Sequence, residues 1–253
     1  MKKIQALSTQ KGRDTAEWFI VEGEKTVGEI PSSWPVAYFI ASDAYVSRAS
    51  LGRFEQKAPA ILLENALFQK LSDTVTPQGI MAVCARKKYA LNDILQKNCL
   101  LLLGEAIADP GNVGTLIRTA DAAGAHGVIF THGSAGIYNP KIIRATAGSI
   151  FHLPVLENAE GEAVARTLRL RKVRLAAAHL KGNTLPYDVD WKSACCLLIG
   201  NESRGLSDAL SARADVQVRI PMHDRAESLN ASVAGGILLY EAVRQRLGHS
   251  LRI

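Results

Sequence analysis

Three segments in the second half of the chain combine glycines with polar side chains where an apolar framework would be expected to continue. The first, IADPGNVGTLIRT (107–119), joins turn chemistry at Asp109-Pro110-Gly111-Asn112 to a helical run. In that run Arg118 directly follows two core-type residues, Leu116 and Ile117, so its charge needs a partner or an exit to solvent. The second, LLIGNESRGLS (197–207), is an apolar strand that runs into Gly200-Asn201-Glu202 and then Gly205. Glycines there let the backbone turn tightly or approach a ligand closely, and Glu202 stands at the carboxyl end of a strand. The third, RIPMHDRAESLNASVAGGILLYEAV (219–243), opens its last helix with both Ser228 and Asn230 around Leu229. One N-cap suffices for a helix, so a polar group is left over for a ligand. Each segment alone reads equally well as structure: a surface arginine, a strand-to-helix turn, a well-capped core helix.

Other chemistries lose ground. The dinucleotide fingerprint G-x-G-x-x-G and the phosphate loop G-x-x-x-x-G-K-[ST] are both absent, as is H-E-x-x-H, and the six histidines show no metal-ligand spacing. The four cysteines, Cys84, Cys99, Cys195 and Cys196, form no C-x-x-C pair. They read as reduced thiols of a cytoplasmic protein. The N-terminus lacks the apolar core of a signal peptide, and the apolar runs are too short to cross a bilayer. A net charge of +6 over 253 residues suits a polyanionic partner. The cluster Arg166, Arg169, Arg171, Lys172 and Arg174 reads as a solvated helix face.

The elements that must position these segments alternate. Leu100–Leu103, Val128–Phe130, Leu175–Ala178, Cys195–Ile199 and Val216–Ile220 are short apolar strands. Between them lie a helix at Val113–Ala123, stopped by Gly124, and another opened by Asn139-Pro140. Continuous apolar strands separated by helices predict a parallel sheet covered on both faces. The last helix carries Val233, Ile237, Tyr240, Val243 and Leu247 at helical spacing and ends at Gly248. Residues 1–90 read as a separate small α/β unit, with strands at Phe19–Val21, Val36–Ile40 and Ile80–Cys84 and helices near 22–29 and 61–71. A linker at about 86–97 joins it to residues 98–253.

Taken together, the three segments resemble the motifs of the SpoU (TrmH-like) RNA 2′-O-ribose methyltransferases of the SPOUT superfamily. Asn112, Gly114 and Arg118 match N-x-G-x-x-x-R. Gly200, Glu202 and Gly205 match G-x-E-x-x-G. Ile220–Met222 with Ser228–Ala234 match I-P-M followed by S-L-N-x-S-x-A. Order and spacing agree, and the resemblance spans residues 98–253. The stretch 11–29 resembles the family's accessory RNA-binding domain, a small α/β fold of the ribosomal-protein kind, and 76–83 resembles its end. The loop 223–226 lacks a glycine that relatives carry, which bears on loop shape and substrate choice.

The resemblance implies an α/β fold whose C-terminal parallel-sheet domain threads a deep trefoil knot. It implies S-adenosylmethionine bound by Gly200, Asn201, Ile220, Met222 and Leu229, with Ala178 and His179 lining the same pocket. It implies methyl transfer to a ribose 2′-hydroxyl of RNA, ribosomal RNA ahead of transfer RNA. Arg118 would hold the phosphate and the developing alkoxide, Glu202 would orient Arg118 or Asn112, Asn112 would support the first motif's turn, and Ser228 and Asn230 would line the ribose. Arg144, Lys11 and Arg13 would face RNA. A homodimer through the C-terminal domain is implied as well. The readings left beside it are a catalytically silent RNA-binding protein of the same fold and a tRNA or base methyltransferase.

Overall fold

The computed structural model describes residues 2–47, 49–223 and 227–248. In chain order its main elements are α1 (Gln10–Ala16), β1 (Trp18–Glu22), β2 (Val36–Ser42), β3 (Ala60–Leu63), α2 (Asn65–Leu71) and β4 (Ile80–Ala85). Then follow β5 (Leu100–Gly104), α3 (Pro110–Ala122), β6 (Gly127–Thr131), α4 (Pro140–Thr146), β7 (Val155–Ala159) and α5 (Gly161–Leu170). Last come β8 (Arg174–Ala178), β9 (Cys195–Ile199), β10 (Val216–Val218) and α6 (Ala231–Leu247).

Two compact units result. One holds the described residues through Lys87 together with Gly136–Phe151, the other Lys88–Ala135 together with the described residues from His152 onward. The segment carrying α4 therefore packs with the N-terminal unit, which no composition shift in the sequence announces. The first unit is built on a four-stranded sheet of order β1-β4-β2-β3, in which only β2 and β3 run parallel. Residues 61–71, predicted as one helix, split into strand β3 and helix α2. Ala60–Leu63 pairs with Phe39–Ser42, and that edge pairing outweighs the helical spacing of its apolar residues.

The second unit is a wholly parallel six-stranded sheet of order β10-β8-β9-β5-β6-β7. On one face α5 buries Val164, Ala165 and Leu168 against Leu101, Leu103, Leu175, Ala177, Cys196 and Leu198. On the other, α3 and α6 pack on each other and on the central strands. Strand order reverses beside β5, whose neighbours are β9 and β6. Ligands of open parallel sheets bind outside the carboxyl ends of strands at such a switch point. The first two motifs follow β5 and β9. The sequence missed β7 and treated α5 only as a charge cluster. All five cations of that cluster are exposed, and Arg169 pairs with Asp215 at 3.3 Å. Among the described residues no helix is long and apolar enough to cross a membrane.

His126 fastens β5 to the turn that precedes β6. Its backbone N–H donates to Leu100 O (2.8 Å), and its ring Nδ1 accepts from Leu100 N (3.1 Å). Burial lowers its pKa below the usual 6.5. The unfolded chain therefore takes up this proton before the folded chain does, and the stability held above pH 6.5 is lost as pH falls through the folded value. Thermal unfolding between pH 7 and pH 5 is expected to show a larger fall in Tm for the wild type than for His126→Gln. Matching profiles would remove His126 as a source of acid sensitivity.

Candidate functional site

Helix α3 starts three residues earlier than its apolar spacing predicts. Asp109 is its N-cap, accepting from Asn112 N (2.8 Å), with Pro110 in the first turn. What reads as a turn in the sequence is thus a capped helix start, and the cap-to-donor interval of three residues was its available signal. This start buries Asn112 to 7% exposure at the carboxyl edge of β5. Across from it, α6 begins with Asn230 as N-cap: Oδ1 accepts from Ser232 N (2.9 Å), Ser232 Oγ (2.6 Å) and Val233 N (3.3 Å).

Between these helix starts runs a relay through all three motifs. Asn230 Nδ2 donates to Asn112 Oδ1 (2.9 Å), and Asn112 Nδ2 donates to Glu202 Oε1 (2.8 Å). Its polarity is fixed from both ends. A carboxylate only accepts, so Asn112 must present its amide nitrogen to Glu202 and its oxygen to Asn230. Asn230 must then donate its own nitrogen, which leaves its oxygen for the N–H groups of α6. Each amide therefore has one workable orientation.

The loop carrying Glu202 is rigid. A Cβ on Gly200 would fall 2.1 Å from the backbone of both Gly205 and Leu206, so only glycine fits. Asn201 and Gly205 exchange backbone hydrogen bonds (3.0 and 2.8 Å). The Asn201 side chain donates to Ala106 O (2.8 Å) and accepts from Ser203 N and Arg204 N. The loop after β5 is held as firmly. Ala106 has a left-handed φ of 51°, costly for a residue with a Cβ, and its N–H donates to Thr131 Oγ1 (3.0 Å).

Arg118 lies on the exposed face of α3, and its side chain has no hydrogen bond or ion pair among the described residues. Of the two partners expected for Glu202, the structure gives Asn112. Ala178 ends β8, paired in register with Val218. His179 follows, donating its N–H to Val218 O (2.9 Å) and accepting from Lys181 N at Nδ1 (3.1 Å). Ile220 and Met222 lie beyond the end of β10, which is shorter than predicted, and both are half-buried, as is Leu229. Strands β10, β8 and β9 are neighbours, with Val218 opposite Ala178 and Ala177 opposite Leu198. Ser228 is exposed. Within the loop before it, 224–226 lie outside the described residues.

A cleft of about 400 Å³ opens beside the relay, lined among others by Glu105, Thr131, Glu160, Asn201, Arg204 and Leu210. Of the expected cofactor residues only Asn201 belongs to its wall. The others follow β8, β9 and β10 in the chain.

Of the three residues expected to meet RNA, Arg13 is engaged otherwise. Arg13 is only 2% exposed. Its guanidinium donates to Leu7 O (3.0 Å), Ser8 O (2.8 Å) and Gln10 Oε1 (2.9 Å), tying down the turn before α1. Arg144 belongs to the N-terminal unit and faces Asp73 at 3.8 Å. Lys11 is exposed.

Residues 99–240 match the SpoU rRNA Methylase family, and residues 1–82 match the MRM3-like substrate binding domain. The chain is 34% identical to the 23S rRNA (guanosine(2553)-2′-O)-methyltransferase RlmP of Bacillus subtilis, over 95% of this chain and 94% of that protein. It is 32% identical to the 23S rRNA (uridine(2479)-2′-O)-methyltransferase of Streptomyces viridochromogenes, over 95% of this chain and 88% of that one. The crystal structure of the SpoU methyltransferase AviRb from S. viridochromogenes in complex with AdoMet superposes with a TM-score of 0.88 at 31% identity, covering 98% of this chain and 97% of that one. With matched family models over most of its length and full-length relatives at this identity, the chain belongs to the SpoU rRNA methylase family.

Proposed function

We propose that this chain transfers a methyl group from S-adenosylmethionine to a ribose 2′-hydroxyl of large-subunit ribosomal RNA, in the cytoplasm. The observation that carries this reading is the relay Asn230–Asn112–Glu202, which ties the three motif segments into one arrangement at the carboxyl edge of the parallel sheet. The donor supplies an electrophilic methyl on a sulfonium that departs as a neutral thioether. What remains for the chain is to align the 2′-oxygen, worth up to roughly 7–11 kcal/mol in a well-oriented reaction, and to manage its proton and charge.

Arg118 suits the charge role. A guanidinium stays protonated at all ordinary pH, and this one is exposed with no internal partner, so it is free to hold the adjoining phosphate and the developing alkoxide. Ser228 and Asn230 line the ribose. Asn112 and Glu202 act through Asn230 and through the shape of the two loops. Gly200, Asn201, Ile220, Met222 and Leu229 hold the donor, with Ala178 and His179 beside them, and the C-terminal segment forms the trefoil knot of the family. Lys11 contributes positive charge toward RNA.

The same reading includes a homodimer. On α6 the buried residues are Ala231, Ser232, Gly235, Leu238, Leu239 and Ala242, while Val233, Ile237, Tyr240 and Leu247 are 49%, 42%, 53% and 47% exposed. An apolar stripe left on the solvent side of an internal helix is an association surface. In sedimentation, Ile237→Glu is expected to shift a dimer to monomer. A wild-type monomer would refute the stripe's role.

The central test uses in vitro transcribed 23S rRNA and maps protection from alkaline cleavage. Arg118→Ala is expected to lower transfer by about 10²–10³-fold, to leave stability within about 0.5 kcal/mol and to keep the affinity for S-adenosylmethionine. Normal turnover would take Arg118 out of the mechanism. Glu202→Ala and Asn230→Ala are expected to lose most activity, with Asn230→Ala also costing about 1 kcal/mol for the lost cap. Asn230→Asp separates the two roles. Aspartate keeps the cap but sets an acceptor against Asn112 Oδ1, so transfer is expected to fall with a stability loss of about 1–3 kcal/mol from the unpaired amide rather than from the cap. Full activity in this variant would show that the relay's polarity is irrelevant.

A further inference from the structure

The cleft beside the relay is distinct from the surface assigned to the methyl donor. The donor's residues follow β8, β9 and β10, whereas the cleft lies at the carboxyl ends of β9, β5, β6 and β7. The two share one wall, the 200–207 loop, whose Asn201, Arg204 and Gly205 face the cleft while its Glu202 holds Asn112. Whatever sits in the cleft is therefore one residue from the relay. Its volume of about 400 Å³ lies in the range of about 300–1,000 Å³ usual for built small-molecule sites.

The walls state what they accept. The floor is apolar, from Ala106, Ala159, Leu206 and Leu210, a surface for a flat ring. The charged groups on the walls are mostly carboxylates. Glu105 is oriented by Ser207 N and Ser207 Oγ (both 2.7 Å), Glu162 by Arg213 (2.7 Å), and Glu160 lies 3.2 Å from His132. Each carboxylate keeps lone pairs to spare. Three carboxylates around the cleft disfavour a phosphate within it. The remaining cation is Arg204, which is exposed, with no side-chain bond among the described residues. A ring with N–H donors on its edge, carried on a phosphodiester that stays outside, satisfies both features. Among nucleobases, adenine, guanine and cytosine carry an exocyclic amine. Uracil presents carbonyls on both sides of its single N–H and would set them against carboxylates.

We propose that this cleft is a nucleobase subsite of the transfer reaction. It seats an unstacked, amine-bearing base of the RNA, and Arg204 holds that nucleotide's phosphate. The proposal rests on the methyl-transfer reading and adds a base preference to it. Splayed, single-stranded bases read along their edges are the usual currency of sequence-specific RNA recognition. The base belongs to the methylated nucleotide or to one beside it, and substitution of the RNA distinguishes the two.

A titration that needs no turnover tests the subsite directly. In amide NMR spectra, millimolar CMP, AMP or GMP is expected to shift Ala106, Gly161 and Ser207. UMP is expected to bind about fivefold more weakly, the effect of one net hydrogen bond. Ala159→Phe, which fills the floor, abolishes these shifts, and Arg204→Ala weakens them; both variants keep wild-type affinity for S-adenosylmethionine, which shows that they are folded. No shifts with any mononucleotide, or equal binding of UMP, overturns the proposal. On in vitro transcribed 23S rRNA both variants are expected to raise KM about tenfold with kcat nearly unchanged, the mark of lost uniform binding. Placing uridine at the mapped nucleotide, then at each neighbour, raises KM at one position for the wild type and at none for Ala159→Phe. A wild type inert on this RNA refutes the proposed substrate and leaves the titration to decide the subsite.

Discussion

Glu202 is an acceptor with nothing to donate, and the arrangement of the catalytic half depends on that. Because it accepts from Asn112, the orientations of Asn112 and Asn230 follow, and so does the capping of α6. The relay joins residues 90 and 118 positions apart in sequence. Loop closure over such spans costs entropy that short polar contacts do not repay alone. The cost is met by the apolar sheet, whose strands β5 and β9 bring the two loops side by side before any polar group is placed. The relay then selects one geometry among those that the sheet permits. A net hydrogen bond is worth about 1 kcal/mol, whereas a buried amide left without partners costs about 1–3 kcal/mol. With Asn112 nearly inaccessible to water, the penalty for misalignment exceeds the gain from alignment. That asymmetry favours a single state.

Backbone constraint reinforces the polar one. Gly200 permits a contact that no Cβ could share, and Ala106 keeps a left-handed conformation because β6 and the 200–207 loop both hold it. Strain of this kind persists only where the surroundings over-determine it, and such places cluster at functional sites. Here Ala106 lines the cleft, and Gly200 stands two residues before Glu202 of the relay. The site is thus fixed in advance, as alignment of a weak nucleophile requires.

How much of this the residues disclosed depended on how local each signal was. The parallel sheet, the Asn139-Pro140 helix start and the Gly248 stop are local, and the sequence reading matched them. The pairing of β3 was hidden because Ala60–Leu63 is short and apolar and gains its partner only in the folded sheet. Arg13 was misread for a related reason: its three acceptors, two of them backbone carbonyls of Leu7 and Ser8, exist as a cluster only once the N-terminal turn has formed. A guanidinium looks like a nucleic-acid contact until its donors are seen to be committed. The motifs revealed that Asn112, Glu202 and Asn230 belong together, but not in which order. Of the two N-cap candidates around Leu229, Asn230 caps α6 and its amide nitrogen enters the relay, while Ser228 is exposed.

Helix α6 shows why these levels cannot be separated. Its first residues receive the end of the relay, and its small residues let it lie close to α3: a Cβ on Gly235 would come within 2.6 Å of Leu116. Its far end is anchored by Arg246, which donates to the carbonyls of Asn98, Trp191 and Ser193 around the entry to β5 and β9. The helix is therefore pinned at both ends to the two strands that flank the switch point. One helix thus connects the cap at Asn230, which reaches both motif loops through Asn112 and Glu202, with the strands that carry those loops.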